Sequence, residues 1–216
     1  MLMTSDPFTL ILALVVVALV PFLAIVATSF IKLSVVLLLV RNALGVQQIP
    51  PNMALNALAI ILSGYIMLPV FLQTFEILEK GNYSIATVED MKTTFVAAKG
   101  PLEEFLAKHA DSKEKAFFLE ASRQLWPAEV ADSMSADSIA ILLPAYTVSQ
   151  LREAFEIGFL LYLPFLAIDL VVSNILLAMG MMMVSPLTIS LPFKLFLFVA
   201  VDGWSRLILG LIKTYV

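Results

Sequence analysis

Few side chains in this sequence could take part in chemistry, and they fall into two groups. The first is a set of charges inside long apolar runs: Lys32, Asp169, Lys194 and Asp202. An unpaired charge at the centre of a membrane helix costs about 2.5–3.5 kcal/mol, so each of these must face protein or water. Two of each sign fit structural ion pairs across helices or between subunits. Asp169 offers a second chemistry, as the proton carrier of an ion-coupled membrane transporter subunit. Asp169 and Lys194 stand on two arms of one expected hairpin, 15 and 9 residues from Val184–Ser185. Along ideal helices that is about 22 Å against about 14 Å. Spacing alone therefore leaves the pair open between one chain and two neighbouring subunits.

The second group is sulfur. Met179, Met181, Met182 and Met183 surround Gly180 in the stretch AMGMMMV. Methionine most often fills irregular gaps in packing. Three consecutive residues on a helix, however, point about 100° apart, and no single packed face uses them all. Gly180 and the following Ser185-Pro186 mark a helix end. A soft, unbranched ring at a turn could close a hole in an oligomer and deform when something passes.

Other chemistries are excluded by what the sequence lacks. His109 is the one histidine, reads as a solvated helix residue and has no partners for a metal site or a triad. There is no cysteine, hence no disulfide or thiolate site. No GxxxxGK[ST] loop is present to cradle a nucleotide. The reading is not an enzyme, with no cofactor and no metal. A net charge of −4 argues against nucleic acid as a partner, since that needs a basic patch.

The elements that must position these groups are helical. At 61% hydrophobic residues, the chain has more apolar surface than a soluble core can bury, so much of it faces lipid or other subunits. Four apolar segments form two hairpins, Phe8–Val40 with Met53–Leu78 and Phe155–Val184 with Phe193–Ile212. The first turn carries Gly45 as a helix cap and Pro50-Pro51 before Asn52; the second lies between Pro186 and Pro192. Residues 79–152 hold 11 of the 17 acids and 8 of the 13 bases, which makes them a polar helical insert. Its helix starts are Thr87 with Asp90, Gly100-Pro101, and Asp111 with Glu114; Thr147 with Gln150 opens the third apolar helix. The domains are thus 1–78, 79–152 and 153–216, all-α throughout. The first segment, 33 residues with Pro21 and Lys32 inside, would be roughly 50 Å long as one helix, well beyond a bilayer core of about 30 Å. Pro69 and Pro164 interrupt the second and third segments, so long kinked helices packed on many protein neighbours are expected. Arg41 and Lys194 near the turns place both turns weakly on the cytoplasmic side. The opening MLMTSDPFTL carries Asp6 and no basic residue, and a cleaved signal peptide is not expected.

Long blocks of the chain resemble one family. PAYTVSQLREAFEIGF (Pro144–Phe159) and LPFKLFLFVAVDGW (Leu191–Trp204) are similar to the two signatures of the FliP/SctR family, core export-apparatus proteins of type III secretion systems. TSFIKLSVVLLLVRNALGVQQIPPN (Thr28–Asn52) and GFLLYLPFLAIDLVVSNILLAMGMMMVSP (Gly158–Pro186) resemble its other blocks. Flagellar members usually begin with a cleavable signal peptide and a longer N-terminal region, so the resemblance points to the injectisome branch. It implies a virulence-associated export gate in which five copies assemble with SctS-type and SctT-type subunits around a channel for unfolded proteins. SctU-type and SctV-type components would adjoin it. The implied location is the inner membrane and the periplasmic side of the basal body. Met181, Met182 and Met183, with Met179 adjacent, match the family's methionine gasket. Lys32, Asp169 and Lys194 match charged positions that imply contacts between subunits. Gln150 stands where the family signature allows glutamate or glutamine.

Overall fold

A computed structural model describes residues 7–46, 48–81 and 88–216, and every regular element among them is an α-helix. The first apolar run is two helices, α1 (Pro7–Val26) and α2 (Phe30–Ala43). Its break is not at Pro21, which α1 carries inside it, but at Thr28-Ser29. There the Thr28 hydroxyl donates to the Ala24 carbonyl at 2.5 Å and accepts from the Phe30 N–H at 3.4 Å. A hydroxyl that offers the backbone a local partner competes with the helix ladder. α3 (Asn52–Gly81) starts directly after Pro50-Pro51 and runs through Pro69.

The polar region folds as α4 (Val88–Ala98), α5 (Gly100–His109), α6 (Ser112–Leu125) and a single turn, α7 (Ala128–Ala131). Pro101 sits in the first turn of α5, and the Asp111 carboxylate caps α6 by accepting from the Lys113 N–H at 2.7 Å. Thr87 and Asp6 lie outside the described residues.

α8 (Ile139–Ala178) is one helix of 40 residues, which corrects the expected start at Thr147. The Thr147 hydroxyl is spent inside the helix, donating to the Leu143 carbonyl at 2.8 Å, so it caps nothing. The added N-terminal stretch buries Ile141, Leu142, Ala145 and Tyr146. Packing of that face outweighs the helix-breaking tendency of Pro144. α9 (Pro186–Ala200) and α10 (Gly203–Lys213) then replace the single fourth segment, bent by 62° where Asp202 adopts a left-handed φ of 54°. The second hairpin turn also needs correcting. It is Met179–Ser185, ahead of Pro186; Pro186 starts α9 and Pro192 lies inside it.

The chain divides into two compact units. One comprises the residues up to Ile31 together with Gly64–Gln150, and its core includes Met67, Leu106, Ile141, Leu142 and Tyr146. Its helices are stitched by polar contacts: the Gln150 side-chain amide donates to the His109 carbonyl at 3.2 Å, and the Asp111 N–H donates to Ser149 Oγ at 2.9 Å. His109 itself is half-buried with its ring 4.7 Å from that of Phe105, which corrects the solvated reading. The other unit, Lys32–Ser63 with Leu151–Val216, has Leu33, Val36, Leu37, Leu55, Ala154 and Leu211 in its core. Here α8 meets α2 at Gly158, where an added Cβ would fall 2.3 Å from Leu39 Cδ1. By length and composition α3 and α8 could each cross a membrane, and the α1–α2 and α9–α10 pairs could serve as broken spans.

Candidate functional site

The charges inside the second unit are gathered by the second hairpin. The Lys194 ammonium donates to Asp169 Oδ2 at 2.6 Å and to the Ala43 carbonyl at 3.2 Å; Ser190 donates to Asp169 Oδ1 at 2.5 Å. Spacing measured from Val184–Ser185 leaves Asp169 and Lys194 at different heights. The helices actually end at Ala178 and begin at Pro186, nine residues from Asp169 and eight from Lys194. Those are rises of about 13.5 and 12 Å, so the two side chains are level and the pair closes within the chain. Ala43 is the last residue of α2, where unpaired carbonyls make the helix end negative and hold a cation well. One ammonium thus ties together α8, α9 and the first turn. Both Asp169 oxygens accept hydrogen bonds, one from Lys194 and one from Ser190, which gives the carboxylate a structural role in the hairpin.

Lys32 is completely buried and has its own partners. Its Nζ lies 2.8 Å from Glu153 Oε2 and 3.8 Å from the centroid of the Tyr215 ring. The carboxylate and the ring face together replace the hydration that burial removes. Asp202 is different: it is exposed at the α9–α10 bend, and its carboxylate accepts from Ser205 Oγ at 3.0 Å. It joins neither lysine cluster.

The first turn is fixed by its own residues. Gly45 follows α2 with φ +78° and donates to the Asn42 carbonyl. Arg41 donates to the Pro50 carbonyl at 3.3 Å and to the Asn52 side chain, bridging Pro51. Gly45 Cα also lies against α9: a Cβ there would be 3.9 Å from Lys194 Nζ. The turn and the ion pair therefore form one packed corner.

The methionines sit on the α8–α9 connection of the same unit, and the backbone explains how they are presented. Gly180, at φ +74°, donates to the Leu177 carbonyl, and the Met181 N–H donates to the Leu176 carbonyl. This paired arrangement ends a helix sharply and requires a left-handed residue, the natural place for glycine. After the stop the loop has only a few residues before Ser185-Pro186 starts α9. Met179, Met181, Met182 and Met183 are 67, 40, 82 and 101% exposed. No acidic or basic residue occurs between Asp169 and Lys194 in the chain, so the projecting loop is purely apolar and neutral. Its two supporting helices are locked by the ion pair two to three turns below.

Sequence reasoning missed Glu153, Ser190 and Tyr215 as partners. Ser190 carried a signal, standing four residues before Lys194 on one face of α9. Glu153 and Tyr215 carried none, because they meet Lys32 across more than a hundred residues of chain.

Comparison of the sequence with known proteins points to one group. The profile of the FliP family matches residues 13–211. The Yop proteins translocation protein R of Yersinia pestis is 54% identical over 215 residues, covering 100% of this chain and 99% of that protein. The hypersensitivity response secretion protein HrcR of Ralstonia nicotianae is 48% identical over 212 residues, 96% of each chain. The virulence protein YscR of Salmonella typhimurium is 45% identical over 219 residues, with both chains covered fully.

Proposed function

The chain belongs to the FliP family, and from that membership we propose that it is a core subunit of a type III secretion export gate. In this reading several copies, five by the family pattern, assemble with SctS-type and SctT-type subunits around a channel for unfolded proteins. SctU-type and SctV-type components adjoin it, on the inner membrane and the periplasmic side of the basal body. The chain is non-enzymatic; energy for transport comes from other parts of the machine. Exposed apolar residues on α8, among them Phe159, Leu163, Leu166 and Leu170, supply surface for contacts with neighbouring subunits or lipid.

The observation that carries the reading is the neutral, exposed methionine loop Met179–Met183, held out by Gly180 above a rigid hairpin. Thioether side chains projecting from each copy toward a common axis form an apolar gasket. Water and ions are excluded because nothing in the ring replaces their hydration. An unfolded polypeptide is admitted because methionine, with three rotatable bonds, changes rotamer at little cost.

Site-directed crosslinking tests this directly. Cysteines placed singly at Met181, Met182 and Met183 should crosslink to a substrate stalled during export, while a cysteine at the buried Met67 should not. Absence of crosslinks at all three loop positions, with the complex assembled, contradicts a pore-lining role.

A further inference from the structure

The chain has no cysteine, so methionine carries all of its oxidisable sulfur. Exposure sets the rate at which a peroxide can reach a thioether, and the methionines differ widely in it. In the single chain Met67 is 1% exposed, whereas Met182 and Met183 are 82 and 101% exposed on adjacent positions of one loop. In the gasket reading a loop thioether that faces the channel stays open to small solutes in its lumen. Met53, 82% exposed in the first turn of α3, is equally open but stands outside the loop.

We propose that Met182 and Met183 form an oxidation site, and that conversion of their thioethers to sulfoxides opens the seal. The functional half rests on the gasket reading given above. In the reaction a sulfur lone pair attacks one oxygen of hydrogen peroxide and the O–O bond breaks. The sulfur is oxidised by two electrons and gains the oxygen; the peroxide is reduced, and the second oxygen leaves as water. The reverse step is a two-electron reduction by a thiol-dependent methionine sulfoxide reductase, which returns the oxygen as water.

The consequence follows from the neutrality of the loop. Between Asp169 and Lys194 there is no charged side chain, so the loop seals by apolar contact alone. A sulfoxide is polar, accepts hydrogen bonds and holds water. Two per subunit, repeated around an axis, would hydrate the constriction that the thioethers keep dry. The polar side chains nearest the loop, Ser185 and Thr188, carry no charge, and Ser190 and Lys194 further along α9 are buried and already bonded to Asp169.

The test uses the assembled gate in membranes, treated with hydrogen peroxide and quenched at intervals. Peptide mass mapping follows the added oxygen at each methionine while ion leakage is recorded in parallel. Met182 and Met183 should oxidise on the order of tenfold faster than Met67. Leakage should rise with them and fall back after treatment with the reductase. The Met181→Leu/Met182→Leu/Met183→Leu variant should show the same leakage with and without peroxide, and Met53→Leu should behave as wild type. Loop methionines that oxidise no faster than Met67 overturn the site. Fast oxidation without added leakage overturns its coupling to the gate; leakage from an untreated Met181→Ala/Met182→Ala/Met183→Ala variant would then leave the gasket itself standing. No leakage from that alanine variant would instead count against the gasket.

Discussion

Lys194 Nζ lies 2.6 Å from Asp169 Oδ2, joining the two helices that hold the methionine loop, and 3.2 Å from the carbonyl that ends α2. The loop is thus presented by a corner in which one buried cation organises three helices. The lysine side chain is 3% exposed and the aspartate 23%. Removing either partner strands the other, but not equally.

Asp169→Leu leaves an almost fully buried ammonium and should destabilise the fold by about 5 kcal/mol; Lys194→Met leaves a partly wetted carboxylate and should cost about 3 kcal/mol. The double variant should recover most of the larger loss, because a buried pair replaced by apolar groups is nearly neutral. Thermal unfolding of the purified assembly in detergent measures all three. Strictly additive losses would deny the coupling.

Gly180→Ala isolates the backbone contribution. Nothing lies within 4 Å of the added Cβ, so its cost is the left-handed φ alone. We expect about 1 kcal/mol and faster amide exchange at Met181, with Gly180→Asn milder. Exchange at Met181 unchanged in the alanine variant would show that the helix stop does not depend on glycine.

Gly158→Ala is a steric test of the α8–α2 contact. The new Cβ would clash with Leu39 Cδ1 at 2.3 Å, and overpacking of this kind costs about 1–3 kcal/mol. Adding Leu39→Ala should restore part of the loss, read from the same unfolding transitions.

Tyr215→Leu removes the ring over Lys32 and should destabilise by about 1–2 kcal/mol, while Tyr215→Phe keeps the face and most of the stability. Equal losses in the two variants would assign the effect to the hydroxyl instead.

Local chemistry was legible in the sequence where one residue decides the outcome. Asp111, Pro101 and the Pro50-Pro51 pair mark helix starts because caps and missing N–H groups act on their own backbone. The methionine loop was legible as a helix end for the same reason, through Gly180. Elements decided by competition were not. Thr147 has capping chemistry, yet the burial of Ile141, Leu142 and Tyr146 carries α8 past it. Pro21 invites a break that occurs instead at Thr28, where a hydroxyl offers the backbone another partner. Because the stop falls at Gly180 and not at Ser185, Asp169 and Lys194 are level, and an intrachain pair that spacing left open is formed. Lys32 shows the remaining limit: a buried charge announces that it has a partner without saying which one.

The central claim is that Met181, Met182 and Met183 close the channel. The most direct measurement is ion conductance of the gate, assembled with its partner subunits in a planar bilayer, with all three replaced by alanine. The account predicts a steady leak in the variant that the wild-type gate lacks, with assembly intact. Conductance indistinguishable from the sealed wild type would contradict it.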